Sequence, residues 1–231
     1  MRYQFSPPPV VSVPVVGSDR PFPVHRIYCV GRNYADHARE MGATAGEPPV
    51  FFLKPADAAL AVQAGARGEL PYPGLTHALH HEVELVVALG EGGRDIAPQD
   101  ALRHVFGYAV GLDMTRRDLQ AQMKQRGAPW DIGKAFDHSA PIGPLTPAAQ
   151  AGEISRADLT LQVNGTLRQH GSIGQMIWPV PQIIAQLSAA WALAPGDLIF
   201  TGTPSGVAAV QAGDVLEARV TGLEALRLRI V

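Results

Sequence analysis

The chain has 231 residues and a single cysteine, Cys29. One thiol cannot close an internal disulfide, so the fold does not depend on an oxidising compartment. Within "RIYCVG" it reads as a small buried hydrophobe. Neither sign of charge is in excess: 19 Lys+Arg stand against 21 Asp+Glu, a net −2. That excludes the basic footprint of a protein that holds nucleic acid or an acidic membrane surface. Aromatic residues are 6% of the chain, and Trp130, Trp178 and Trp191 are spread along it. They do not build the aromatic platform that a carbohydrate or nucleotide binder would need. No apolar run approaches the ~20 residues of a membrane span. Pro7, Pro8, Pro9 and Pro14 interrupt the N-terminal stretch where a secretory leader would run unbroken. The expectation is a soluble cytoplasmic protein with no nucleic-acid or membrane partner.

What is present is apolar and closely punctuated. Hydrophobic residues are 46% and charged residues 17%, enough for a substantial core, with 24 glycines and 20 prolines breaking the runs. Short runs between such breakers suit a β-rich fold. Residues 10–16, 26–31, 49–55, 82–90, 106–115 and 197–204 read as strands. Residues 159–169 read as a hairpin about Asn164-Gly165, and 214–220 pairs with 224–231 about Thr221-Gly222. Helices are expected over 34–42, closed by Gly42, over 98–105, over 116–127 as an amphipathic helix with a glycine stop, and over 180–193. Few strands are linked by regular helical crossovers. The fold class is α+β: a mixed, mainly antiparallel β-roll or barrel-like sheet with a few short helices. Residues 1–24 form an N-terminal extension and 25–231 the main domain.

The sharpest local feature is "HHEVELVVALG" at 80–90. Strand side chains alternate, so Glu82 and Glu84 share a face while Val83 and Leu85 take the other. Two like charges inside an apolar strand are costly unless something neutralises them, and a divalent cation would. Asp113, after the seven uncharged residues of 106–112, is the best third ligand. An all-carboxylate set is hard and favours Mg²⁺, Mn²⁺ or Ca²⁺ over Zn²⁺. The same spacing also fits a solvated strand edge with incidental acids. His80 and His81 read as surface or supporting residues, not ligands.

Three further stretches carry chemistry. His37 and Glu40 lie three apart on a helix and share a face. A carboxylate on an imidazole fixes its tautomer and raises its basicity, which suits water activation; an ordinary exposed pair has the same spacing. Lys134, among the small and apolar residues of "DIGKAFD", is a candidate anion holder or proton-transfer group, or a plain surface lysine. "TGTPSG" at 201–206 offers the hydroxyls of Thr201 and Thr203 and backbone N–H groups to a carboxylate or phosphate, without being a Walker motif.

In order, "YCVGRNYADHAREMG", "FFLKPADA", "HHEVELVVALG", "GYAVGLDMTRRDLQ", "PWDIGKAFD", "VNGTLRQHG" and "GDLIFTGTPSGV" resemble the fumarylacetoacetate hydrolase superfamily from about residue 25 to the C-terminus. Within it the chain is most similar to the bacterial acylpyruvate hydrolases that act on fumarylpyruvate in gentisate-type aromatic breakdown. The resemblance implies a β-roll, a homodimer and one Mg²⁺ or Mn²⁺ per subunit, held by Glu82, Glu84 and Asp113. It implies a His37–Glu40 dyad, an active-site Lys134, and substrate contacts from Arg32, Arg117, Gln120 and Thr203 or Thr201. Lys54 also matches the family, without an assigned role. The substrate would be a diketo acid whose C–C bond is hydrolysed, its distal end read by 37–48 and 171–179. Oxaloacetate decarboxylation, keto-acid isomerisation or hydration, and metal binding without catalysis are the alternatives.

Overall fold

A computed structural model describes residues 2–40 and 48–231. Its largest sheet runs, in spatial order, through Val50–Lys54, Ile27–Gly31, Leu198–Phe200, Val83–Leu89, Val105–Leu112, Ala140–Ile142 and Ala59–Ala61, with Thr146–Pro147 also pairing on Val105–Leu112. A second sheet orders Thr166–Ser172, Asp158–Val163, Val215–Val220, Leu226–Ile230 and Gly68–Leu70. Pairing is mostly antiparallel. The parallel neighbours are Leu198–Phe200 on Ile27–Gly31, Ala140–Ile142 on Ala59–Ala61, and Leu226–Ile230 on Gly68–Leu70. The α+β, mainly antiparallel architecture expected from the sequence is the one observed.

The strand Val83–Leu89 is buried along its whole length. Alternation sends Val83, Leu85, Val87 and Leu89 into a core shared with Leu159, Leu161, Leu216 and Leu228 of the second sheet. Val86 and Ala88 face the other way, into a smaller core with Phe200, Leu198 and Cys29. Covered on both faces, the strand has to read as a nearly continuous apolar run. Each large side chain so buried stabilises by about 1.5–3 kcal/mol. Val13 and Phe22, from the two-stranded pair Ser12–Val13 and Phe22–Pro23, close the smaller core.

Several boundaries differ from expectation. Residues 10–16 contribute only Ser12–Val13 to a strand, because Pro14 ends the pairing. Residues 98–105 form a 3₁₀ turn, Ala101–His104. The helix Ala35–Glu40 is described, but Gly42, its expected stop, lies outside the described residues. Arg117–Arg126 does end at Gly127, yet it buries Gln120 and not an apolar stripe. The Asn164-Gly165 turn has φ of 51° and 77°, as a type I′ hairpin requires. Among the described residues no helix is long and apolar enough to cross a membrane.

Gly111 sits opposite Glu84 in the register. A Cβ there would come 2.5 Å from Val86 Cγ2 and 2.6 Å from Phe200 Cε1. Gly111→Ala is therefore expected to cost about 1–3 kcal/mol through overpacking. Urea unfolding measures it, and an unchanged midpoint would mean that Val86 and Phe200 yield freely.

Candidate active site

The register of the central antiparallel pair assembles the acids. Val83 faces Leu112, so Glu82 falls opposite Asp113, whose N–H donates to the Glu82 carbonyl at 2.9 Å. Glu84 follows two residues later on the same face. All three side chains are buried, and one carboxylate oxygen from each lies within 4.8 Å of the others. The solvated-edge reading of the E-x-E spacing does not apply.

Such a cluster cannot be buried bare. Lys134 Nζ reaches into it, donating to Glu82 Oε2 at 2.9 Å, Asp113 Oδ2 at 2.6 Å and Thr115 Oγ1 at 2.7 Å. Arg117 pairs with Glu82 Oε1. Lys54, fully buried, donates to the carbonyls of Met114 and Lys134 and lies 2.8 Å from Asp113 Oδ1. Lys134 was foreseen and is here a buried cation, not a surface one. Lys54 had no role from sequence; it balances Asp113.

The acids divide by environment. Burial would raise the Glu82 carboxyl, but Lys134, then Arg117 and His37, outweigh it and hold Glu82 well below the usual carboxylate range. Glu84 goes the other way: burial, then the charges of Asp113 and Glu82, push it well above its ordinary value. Burial would lower the Lys134 ammonium, yet Asp113 and Glu82 raise it on balance, so it stays charged.

Asp113 Oδ1 is buried and, despite Lys54 at ion-pair distance, takes no hydrogen bond among the described residues. The raised Glu84 and the all-oxygen donor set fit a hard divalent cation held by Glu82, Glu84 and Asp113.

The cavity over the acids is lined by His37, Arg32, Arg117, Gln120, Lys134 and Thr203, with Phe52 and Trp130 as an apolar wall. Its free volume is about 20 Å³, room for one water-sized sphere. His37 is buried, with Nδ1 3.4 Å from Glu40 Oε2. Glu40 stands behind it, half exposed and off the cavity wall. Burial lowers the His37 imidazole, only partly opposed by Glu82 and Glu40, so it is neutral near neutral pH. Arg117 Nη1 donates to Gln120 Oε1 at 2.6 Å.

Thr201 is not brought to the cavity. Its hydroxyl donates to the Leu85 carbonyl at 2.9 Å, and its own carbonyl accepts from Asn33 Nδ2 at 2.7 Å. Gly202, at φ 98°, a conformation side chains rarely adopt, turns its N–H onto Glu84 Oε2 at 2.7 Å. Residues 171–179, expected to read the substrate's distal end, line a separate apolar groove with Ile173, Gly174 and Met176. Of 37–48, His37 lines the cavity, while 41–47 lie outside the described residues. Asn33 and Gln169 were missed. Both are buried amides that tie distant loops to the site, and nothing in their sequence neighbourhood marks that burial.

Against known proteins, the model of the fumarylacetoacetate (FAA) hydrolase C-terminal family matches residues 26–231. Fumarylpyruvate hydrolase from Pseudomonas aeruginosa, solved in complex with Mn²⁺ and pyruvate, is 55% identical with a TM-score of 0.98. The match covers 100% of this chain and 99% of that one. The mitochondrial oxaloacetate tautomerase FAHD1 of Rattus norvegicus is 43% identical over 204 residues, 88% of this chain and 90% of that protein. Its Arabidopsis thaliana counterpart is 42% identical over 205 residues, 89% and 90% of the two chains.

If Lys54 supplies charge balance, Lys54→Met should lower the stability of the metal-free protein by about 3–5 kcal/mol, the cost of breaking a buried pair. Excess Mn²⁺ should restore part of it. Urea unfolding with and without the ion reads both effects, and no loss in the metal-free protein would remove Lys54 from the balance.

Proposed function

The chain belongs to the fumarylacetoacetate hydrolase family, and from that premise we propose that it is a metal-dependent hydrolase of acylpyruvates. Fumarylpyruvate is the proposed substrate, with fumarate and pyruvate as products. The observation that carries this reading is a buried, neutral histidine on the wall of the cavity that the acid triad floors. The full-length likeness to a fumarylpyruvate hydrolase supports it.

Hydrolysis of a 1,3-diketo acid needs water added at one carbonyl and an electron pair accepted by the departing pyruvate carbon. A divalent cation on Glu82, Glu84 and Asp113 would supply positive charge for the keto oxygens as that negative charge develops. His37 Nδ1 faces Glu40, which leaves Nε2 to take a proton from water. The water oxygen bonds to the distal carbonyl carbon, the C–C bond breaks, and the pyruvate carbon regains a proton. Lys134, kept charged by its carboxylates, serves as a fixed cation and donor, not as a base. Arg32 and Arg117, on the cavity wall, face the substrate carboxylates. Phe52 and Trp130, with ring centroids 6.0 Å apart, shelter its hydrocarbon part.

The tautomerase relatives favour a second reading, in which oxaloacetate is enolised with no water attack. One assay separates the two. Purified protein, with Mg²⁺ or Mn²⁺ and with EDTA, is given fumarylpyruvate, acetylpyruvate, maleylpyruvate and oxaloacetate. EDTA-sensitive loss of the fumarylpyruvate enol absorbance, with fumarate and pyruvate released, is expected. His37→Ala should abolish it and leave Mn²⁺ binding intact. Turnover of oxaloacetate alone, or a near-normal kcat in His37→Ala, would overturn the hydrolytic reading.

A further inference from the structure

The loop Thr201–Thr203 faces the strand that carries Glu84, and its two hydroxyl protons and the Thr201 and Gly202 N–H groups are committed there. Thr201 Oγ1 donates to the Leu85 carbonyl, the Gly202 N–H to Glu84 Oε2, and Thr203 Oγ1 to the Val83 carbonyl at 2.8 Å. A carbonyl only accepts, so each hydroxyl proton is pointed away from substrate. Thr203 Oγ1 also accepts from Gln169 Nε2 at 2.8 Å. It has no proton left for a carboxylate.

Gln169 holds this arrangement. It lies on the strand Thr166–Ser172, is buried, and fills all four of its hydrogen-bonding positions. Oε1 accepts from the Val83 N–H at 3.1 Å and from His81 Nδ1 at 2.8 Å. Nε2 donates to Thr203 Oγ1 and to the Pro204 carbonyl at 2.9 Å. The amide cannot be turned over. The Val83 N–H can only donate and the Pro204 carbonyl can only accept, so the oxygen and nitrogen have fixed places. The proton of His81 is thereby set on Nδ1. One side chain thus clamps the strand on either side of Glu82 to the loop that orients Glu84.

We infer that Gln169 is a positioning residue for the metal-ligating strand, acting through Thr203, and that the Thr201–Thr203 loop is a template for Glu84. The inference rests on a divalent cation at the acid triad and on no particular reaction. Outer partners of metal ligands typically carry about 10- to 100-fold in metal affinity. Gln169→Leu and Thr203→Val are each expected to weaken Mn²⁺ binding by that factor, read by electron paramagnetic resonance of free Mn²⁺. Thr203→Ser, which keeps the hydroxyl, should stay near wild type. At saturating Mn²⁺, pyruvate affinity should change little in any of them. Unchanged Mn²⁺ affinity with weakened pyruvate binding would overturn the inference, since that is the signature of a lost substrate contact. Should Gln169→Leu not fold, the Thr203→Val and Thr203→Ser pair carries the same comparison. The Mn²⁺ readout does not depend on which keto acid is turned over, so failure here and failure of the proposed reaction are separate results.

Discussion

Three carboxylates placed within 4.8 Å of one another in a buried site set the terms for the rest of the structure. Their mutual repulsion, in a medium that screens poorly, exceeds what packing alone could absorb. The chain meets it with three cations drawn from separate elements: Lys54 at the end of a strand, Lys134 in a short helix, and Arg117 at the start of another.

The fold serves this cluster by making its floor rigid. The strand Val83–Leu89 is packed on both faces, so Glu84 leaves it from a backbone with little freedom. Neighbouring strands fix the remaining partners: Asp113 by register with Glu82, Gly202 by the turn after Leu198–Phe200, and Gln169 by reaching in from the second sheet.

What was legible in the sequence was what depends on local periodicity. Glu82 and Glu84 stood out because carboxylates broke an apolar alternation, and Asp113 because it ended an uncharged strand. The Asn164-Gly165 hairpin announced itself by its turn chemistry. The pairs Leu79–His80, Thr115–Arg116 and Ala209–Val210 are two residues each, too short to show any period. Gln169, Asn33 and Lys54 could not be found this way. Their burial is set by contacts with residues 34 to 168 positions away, which only chain closure supplies. Thr201 was misjudged for a related reason: a hydroxyl after a strand looks available until the direction of its proton is known.

Titration of Mn²⁺ into metal-free protein at pH 7 and at higher pH, by calorimetry in two buffers of different protonation enthalpy, tests the central claim most directly. Burial and the neighbouring acids raise the Glu84 pKa when the site is empty, and a cation requires it as carboxylate, so binding should favour proton release and tighten as pH rises. One ion per chain, with proton release and tighter binding at higher pH, is the result expected. Binding whose affinity does not rise with pH, or no binding at all, would contradict the view that a metal completes these acids.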